Sequence, residues 1–133
     1  MVNKSKKILT EISAAELLDK ISILEIKLTK IKDAESLLEI NKEYKSLKET
    51  KNKNIKLTKN SEKLINKLKE INLKLWNIED EKRMCEKKKD FGEVFVDLSR
   101  SVYLNNDKRA RIKSEINKIL GSNIKEIKQY VDY

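Results

Sequence analysis

Leu17, Leu18, Ile21, Leu24, Leu28 and Ile31 recur at three- and four-residue steps, the spacing that gathers apolar side chains on one face of a helix. The rhythm returns three more times. Leu37, Ile40, Tyr44 and Leu47 form a second run; Leu64, Leu68, Ile71, Leu75 and Ile78, with Trp76 beside them, form a third; Phe95, Leu98, Val102, Ile112, Ile116 and Leu120 form a fourth. Each stripe needs a surface to cover it, and 133 residues leave room for one shared core but not for two. No proline interrupts the runs, and two glycines with 5% aromatic residues leave little for hairpins or sheet edges. The expected fold is all-α, an antiparallel bundle of about four helices in a single domain over 1–133. A coiled-coil hairpin or oligomer of the long helices is the alternative.

Local signals place the boundaries. Ser13 followed by Glu16 is a capping-box pattern for the first helix, which is expected to end near Asp33. Asp33 can cap the second helix, which fades into the lysine- and asparagine-rich segment Thr50 to Asn60, read as a loop over 50–60. Asn60 and Ser61 open the third helix, which runs to about Lys89. Asp90, Phe91 and Gly92 read as a turn, with Asp90 offering a cap to the fourth helix and Gly121 closing it. Residues 1–12 read as a flexible basic N-terminus, and 122–133 as a short final helix or tail. Ile23 and Ile26 lie off the main stripe of the first helix and imply cover on two sides, for which a homo-oligomer contact is one source.

The net charge of +9 comes from 31 basic against 22 acidic residues and is almost all lysine, the only arginines being Arg83, Arg100, Arg109 and Arg111. An AT-rich coding sequence produces a Lys/Ile/Asn excess without selection for function, so the charge counts at half weight as a sign of an anionic polymer or membrane partner. The lysine-rich stretch Lys42 to Lys74 has few aromatics to stack on bases and reads as a solvated face and loop. A single cysteine, Cys85, with no histidine anywhere excludes an internal disulfide and argues against a zinc site. Glu25 and Glu79, with Glu39 and Glu43, are set aside as a magnesium set because Glu39 and Glu43 project away from the Leu37 stripe. No metal and no cofactor is expected. With neither a signal-peptide core nor a membrane-spanning run, the chain reads as cytoplasmic.

The functional signal is polar groups on faces that ought to be dry. Turning about 100° per residue sets Asn106 and Lys113 near the centre of the arc of Phe95, Leu98, Val102, Ile116 and Leu120, with Arg109 at its edge. The same projection puts Glu79 beside Leu68 and Leu75, Glu25 between Leu18 and Ile21, and Asn41 between Leu37 and Tyr44. Glu25 and Glu79 then balance Arg109 and Lys113. One reading is an internal ion-pair network that fixes helix register. The other is a polar pocket between helices in which Arg109 and Lys113 receive a phosphate or carboxylate while the glutamates orient hydroxyls. Asn105, Asn106 and Asp107 are poor helix-interior residues, and they can instead break the fourth helix in two, with Asp107 capping the second piece. In either case the segment holding Arg100, Tyr103, Asn106, Asp107, Arg109 and Lys113 is the candidate ligand-binding region.

Leu18-Asp19-Lys20-Ile21-Ser22-Ile23-Leu24-Glu25-Ile26-Lys27, Leu75-Trp76-Asn77-Ile78-Glu79-Asp80, Asp90-Phe91-Gly92, Arg100-Ser101-Val102-Tyr103, Asn106-Asp107, Arg109-Ala110, Lys113 and Ile116-Asn117 follow in one order. This series resembles a family of small, uncharacterised bacterial and phage helical proteins, over about Ile12 to Gly121. The resemblance implies that similar domains occur alone or near tetratricopeptide and glycosyltransferase modules associated with surface polysaccharide, which supplies a context and no reaction. The expected function is a non-catalytic helical binding or accessory protein that recognises an anionic group, on a nucleotide sugar, a sugar phosphate or a partner protein. A small all-helical enzyme acting on an anionic metabolite or nucleotide, with chorismate mutase as the analogy, is the alternative. Nucleic-acid binding driven by charge and a purely structural coiled coil rank behind these.

Overall fold

A computed structural model describes residues 6–133, which form four helices: α1, Ala14–Lys30; α2, Ala34–Asn54; α3, Lys59–Lys88; and α4, Glu93–Ile119. The described residues hold no strand. Of the N-terminal stretch expected to be flexible, 1–5 lie outside the described residues, and 6–13 precede the first helix without regular structure.

Three of the expected termini form as their side chains dictate. Ser13 Oγ accepts from the Glu16 amide at 3.0 Å, one half of the expected capping box, while the Glu16 carboxylate turns to Lys113 instead of the Ser13 amide; Asp33 Oδ2 accepts from the Ser36 amide at 2.9 Å, and Gly121, at φ 63°, follows the end of α4 in the left-handed conformation that suits glycine there. Other boundaries differ. Thr50 to Asn54 continue α2, with Thr50 Oγ1 donating to Ser46 O at 3.1 Å and Asn54 Nδ2 donating to Thr50 O at 2.8 Å. The connection to α3 is therefore 55–58, shorter than the loop expected over 50–60. Thr58, not Asn60, caps α3 and shares a reciprocal capping box with Ser61. Asp90 does not cap α4, whose N-cap is Gly92; its carboxylate instead accepts from the Gly92 amide at 3.1 Å inside the turn. Asn123 to Tyr133 form no helix, because a segment this short needs a buried stripe, and Ile127 and Val131 are exposed.

α1 is the centre of the bundle. It packs against each of the other three helices, while α2 packs only on α1, and α3 packs on α4 as a long hairpin. The second apolar face noticed at Ile23 and Ile26 is the face that this hairpin covers, and Ile26 is buried. Ala15, Leu18, Leu64, Leu68 and Ile116 make the core at the lower end of α1, with Ile55, Ile65, Ile112 and Leu120 packed around it. Here α4 also closes the start of α1. Ala14 N donates to Ser122 Oγ at 3.0 Å and Ala15 N to the buried Asn117 Oδ1 at 2.9 Å, so that with Glu16 N on Ser13 Oγ the first three helical amides are satisfied.

α3 has 30 residues against 17 in α1. At about 1.5 Å per residue the α3–α4 hairpin therefore outruns α1 and leaves Met84, Phe91, Val94 and Val96 exposed at its tip. Asn105 to Asp107 do not break α4, since each side chain finds a partner that spares the backbone ladder. Asn105 Nδ2 donates to Ser101 O at 2.7 Å, Asn106 Oδ1 faces Arg109, and Asp107 accepts from the Tyr133 hydroxyl. No described helix is long and apolar enough to cross a membrane.

Candidate functional site: a polar network beneath a Trp76 cleft

One turn above the apolar core, Asp19 of α1 points at α4 and is 1% exposed. A carboxylate so placed costs several kcal/mol unless it is paired and hydrogen-bonded, and three residues from two other helices meet that need. Arg109 grips it with a two-pronged contact, Nε to Oδ1 at 3.2 Å and Nη2 to Oδ2. Lys113 Nζ donates to Asp19 Oδ2 at 3.2 Å and to Glu16 Oε2 at 2.7 Å. From α3, Asn72 Nδ2 lies 2.7 Å from both Asp19 Oδ1 and Ser22 Oγ, and Ser22 Oγ donates to the Asp19 carbonyl at 2.9 Å. No buried side-chain nitrogen or oxygen among the described residues lacks a partner.

Burial alone pushes the Asp19 carboxyl up, but the hydrogen bonds from Arg109 and Asn72 and the charges of Arg109 and Lys113 outweigh it and leave its pKa below the usual 3.8. Burial likewise pushes Lys113 down, and its bond to Glu16 with the charges of Asp19 and Glu16 reverses this, so its pKa stands above 10.5. A depressed carboxylate stabilises the fold above its unfolded pKa, and that contribution disappears as pH falls through the lower, folded value. A raised ammonium contributes below 10.5 and loses it as pH climbs past its folded value. Thermal melts followed by circular dichroism are therefore expected to be flat between about pH 5 and 9 and to fall steeply below about pH 4. Asp19→Asn is expected to flatten much of the acid limb; an unchanged acid limb would show that Asp19 does not carry it.

The network's partners differ from those expected on charge balance. Glu25 does not reach Arg109 or Lys113; it lies on the opposite side of α1, 3.4 Å from the Tyr44 hydroxyl and 3.7 Å from Lys69 Nζ. Asn41 is exposed and turned back on its own helix, donating to Leu37 O at 3.0 Å, so α2 contributes no polar group to the interior here. Arg100 is exposed beside Tyr103. Tyr103 and Asp107 face the C-terminal segment, where Tyr133 meets both. Glu16, Asp19, Ser22 and Asn72 belong to the network although helical projection of the charged residues does not single them out. Their signal was present, since Ala15, Asp19, Ser22 and Ile26 share the second face of α1 at helical spacing, and Asn72 lies on the Leu68–Leu75 side of α3.

A cleft of about 520 Å³ opens beside the network where α1 runs out between α3 and α4. Asn72, Asn106 and Arg109 line its polar base, Ile23, Ile26, Leu75 and Val102 its apolar sides, and Trp76, Glu79, Asp80 and Arg83 the rest. Of the residues singled out by projection, it brings together Asn106, Arg109 and Glu79; Lys113, whose side chain is 13% exposed, stays below in the network. The Arg109 guanidinium carries more N–H donors than Asp19 and Asn106 take up, so an Arg109 fixed by Asp19 on one edge can donate from another. Acceptors at Glu79 and Asp80, donors at Arg83, Arg109 and Asn106, and the Trp76 indole make a surface able to bind a ring with hydroxyls and an attached anion.

Fold and site together define an all-helical protein with a paired ionic cluster at its centre and an open mixed-polarity cleft above it. The chain belongs to a Family of unknown function (DUF6165), whose family model matches residues 8–132. No curated protein and no solved structure matches it.

Proposed function

We propose that the chain is a non-catalytic helical binding or accessory module that holds an anionic, hydroxyl-bearing ligand in the cleft between α1, α3 and α4. The observation that carries this reading is the position of Arg109, clamped by the buried Asp19 yet lining a cavity of about 520 Å³. An arginine held this way has lost its side-chain entropy before any ligand arrives, which is the form preorganisation takes in binding sites. Lys113 drops out of the ligand set, because Glu16 and Asp19 neutralise it. Arg83, which makes no ion pair among the described residues, takes its place at the cleft.

Glu79 and Asp80 at the same cleft fit a ligand with hydroxyls to donate, such as a sugar phosphate, and repel a polyanionic nucleic-acid backbone. The reading sets the protein in the cytoplasm, alongside the synthesis of surface polysaccharide or other glycoconjugates.

Thermal-shift measurements with hexose phosphates and nucleotide sugars test this. A ligand at 100 times its Kd stabilises by about 2.7 kcal/mol, a Tm rise of about 10 °C for a domain of this size. The rise is expected to vanish in Trp76→Leu and to shrink in Arg83→Ala. A ligand that protects the Trp76→Leu protein as well as it protects the wild type would show that it binds outside the cleft.

A further inference from the structure

A second open cavity of about 510 Å³ lies on the other flank of the same stretch of α4. Val102, Asn106 and Arg109 line both cavities, so a single row of α4 side chains separates the Trp76 cleft from its neighbour. The outer wall of the second cavity is the C-terminal segment. Tyr133 packs edge to face on Tyr103 with ring centroids 5.6 Å apart, and its hydroxyl donates to Asp107, which fixes the segment across α4. Tyr130 and Lys128 line the same space. Tyr103, Tyr130 and Tyr133 remain exposed in this arrangement, although aromatic rings gain most when both faces are covered. Arg109 therefore lines two cavities, one with Trp76 and one with three tyrosines.

We infer that the two cavities are halves of one elongated site, and that the tyrosine-lined half takes a nucleobase whose phosphates sit at Arg109 while a sugar occupies the Trp76 cleft. The inference rests on the binding reading given above and selects, within it, a nucleoside diphosphate sugar over a simple sugar phosphate. The tyrosine half has the chemistry for this. Stacking on aromatic faces tolerates any base, and the C-terminal segment becomes a wall of the site.

Trp76 is the only tryptophan, so its fluorescence reports the first cavity directly. The full chain is titrated with UDP-glucose and, separately, with a hexose phosphate that has no base. UDP-glucose is expected to bind at least about tenfold more tightly, the size of one stacked base. In the double variant Tyr130→Ala/Tyr133→Ala that advantage is expected to disappear while hexose phosphate affinity stays the same. Tyr133→Phe, which keeps the ring, is expected to retain most of it. The substituted tyrosines are exposed, and unchanged helical circular dichroism confirms the fold of each variant. Equal affinity for the two probes in the wild type, or an undiminished advantage in the double variant, overturns the second subsite and leaves the cleft standing. Failure of both probes to bind the full chain overturns the cleft reading and this inference together.

Discussion

Asp19→Ala is expected to lower stability by about 3–5 kcal/mol, the cost of removing one partner from a buried ion pair and leaving the other uncompensated. For a domain of this size that is a fall in Tm of about 10–20 °C. The magnitude follows from what remains: Arg109 and Lys113, with side chains 26% and 13% exposed, keep their charges after the carboxylate between them has gone. Glu16 still neutralises Lys113, whereas Arg109 keeps only the 3.5 Å contact to Asn106. Arg109 is therefore the group expected to swing away, taking the base of the cleft with it. Circular dichroism melts of wild type and variant measure this, and a fall of less than about 3 °C would mean that Asp19 is not the pivot of the bundle.

Leu68→Ala is expected to cost about 2–5 kcal/mol, the range for deleting a large side chain from a closed core. Leu68 is fully buried between Leu18, Leu64 and Ile116, and three helices must shift together to fill the space it leaves. Urea unfolding checks the value, with the midpoint falling and the slope unchanged. The half-buried Trp76 provides the contrast. Trp76→Leu is expected to leave most of the stability in place while removing the ligand response, because an open cleft loses less packing than a closed core.

The helices were legible because apolar spacing and side-chain caps are local properties. Ser13, Asp33 and Gly121 act within a turn of where they stand, and the stripe from Leu64 to Ile78 fixes the inner face of α3 without knowledge of any neighbour. The lysine- and asparagine-rich composition of 50–60 does not mark a loop throughout, because lysine is a competent helix former with a solvated side chain and α2 runs on to Asn54. The site was half legible. Asn106, Arg109 and Lys113 stood out as polar groups on a dry arc, yet a helical projection gives an angle and no height. Glu25 lies about 9 Å further along α1 than Asp19, six residues at 1.5 Å each, and on the side turned toward Tyr44 and Lys69. Only the register between α1 and α4 brings Asp19 level with Arg109 and Lys113. The cleft itself follows from the unequal lengths of α1 and α3, which no single stripe encodes.

Asp19 holds Arg109 at the base of the cleft shared with Trp76, and the proposed binding depends on that hold. Proton–nitrogen NMR of the indole Nε1–H of Trp76 and the guanidinium Nε–H of Arg109 tests it most directly during a titration with UDP-glucose. Both resonances are predicted to shift together with one Kd, and the Arg109 signal is predicted to broaden and stop responding in Asp19→Asn. Saturating shifts confined to the lysine-rich stretch between Lys51 and Lys59, with Trp76 and Arg109 unmoved, would contradict the claim.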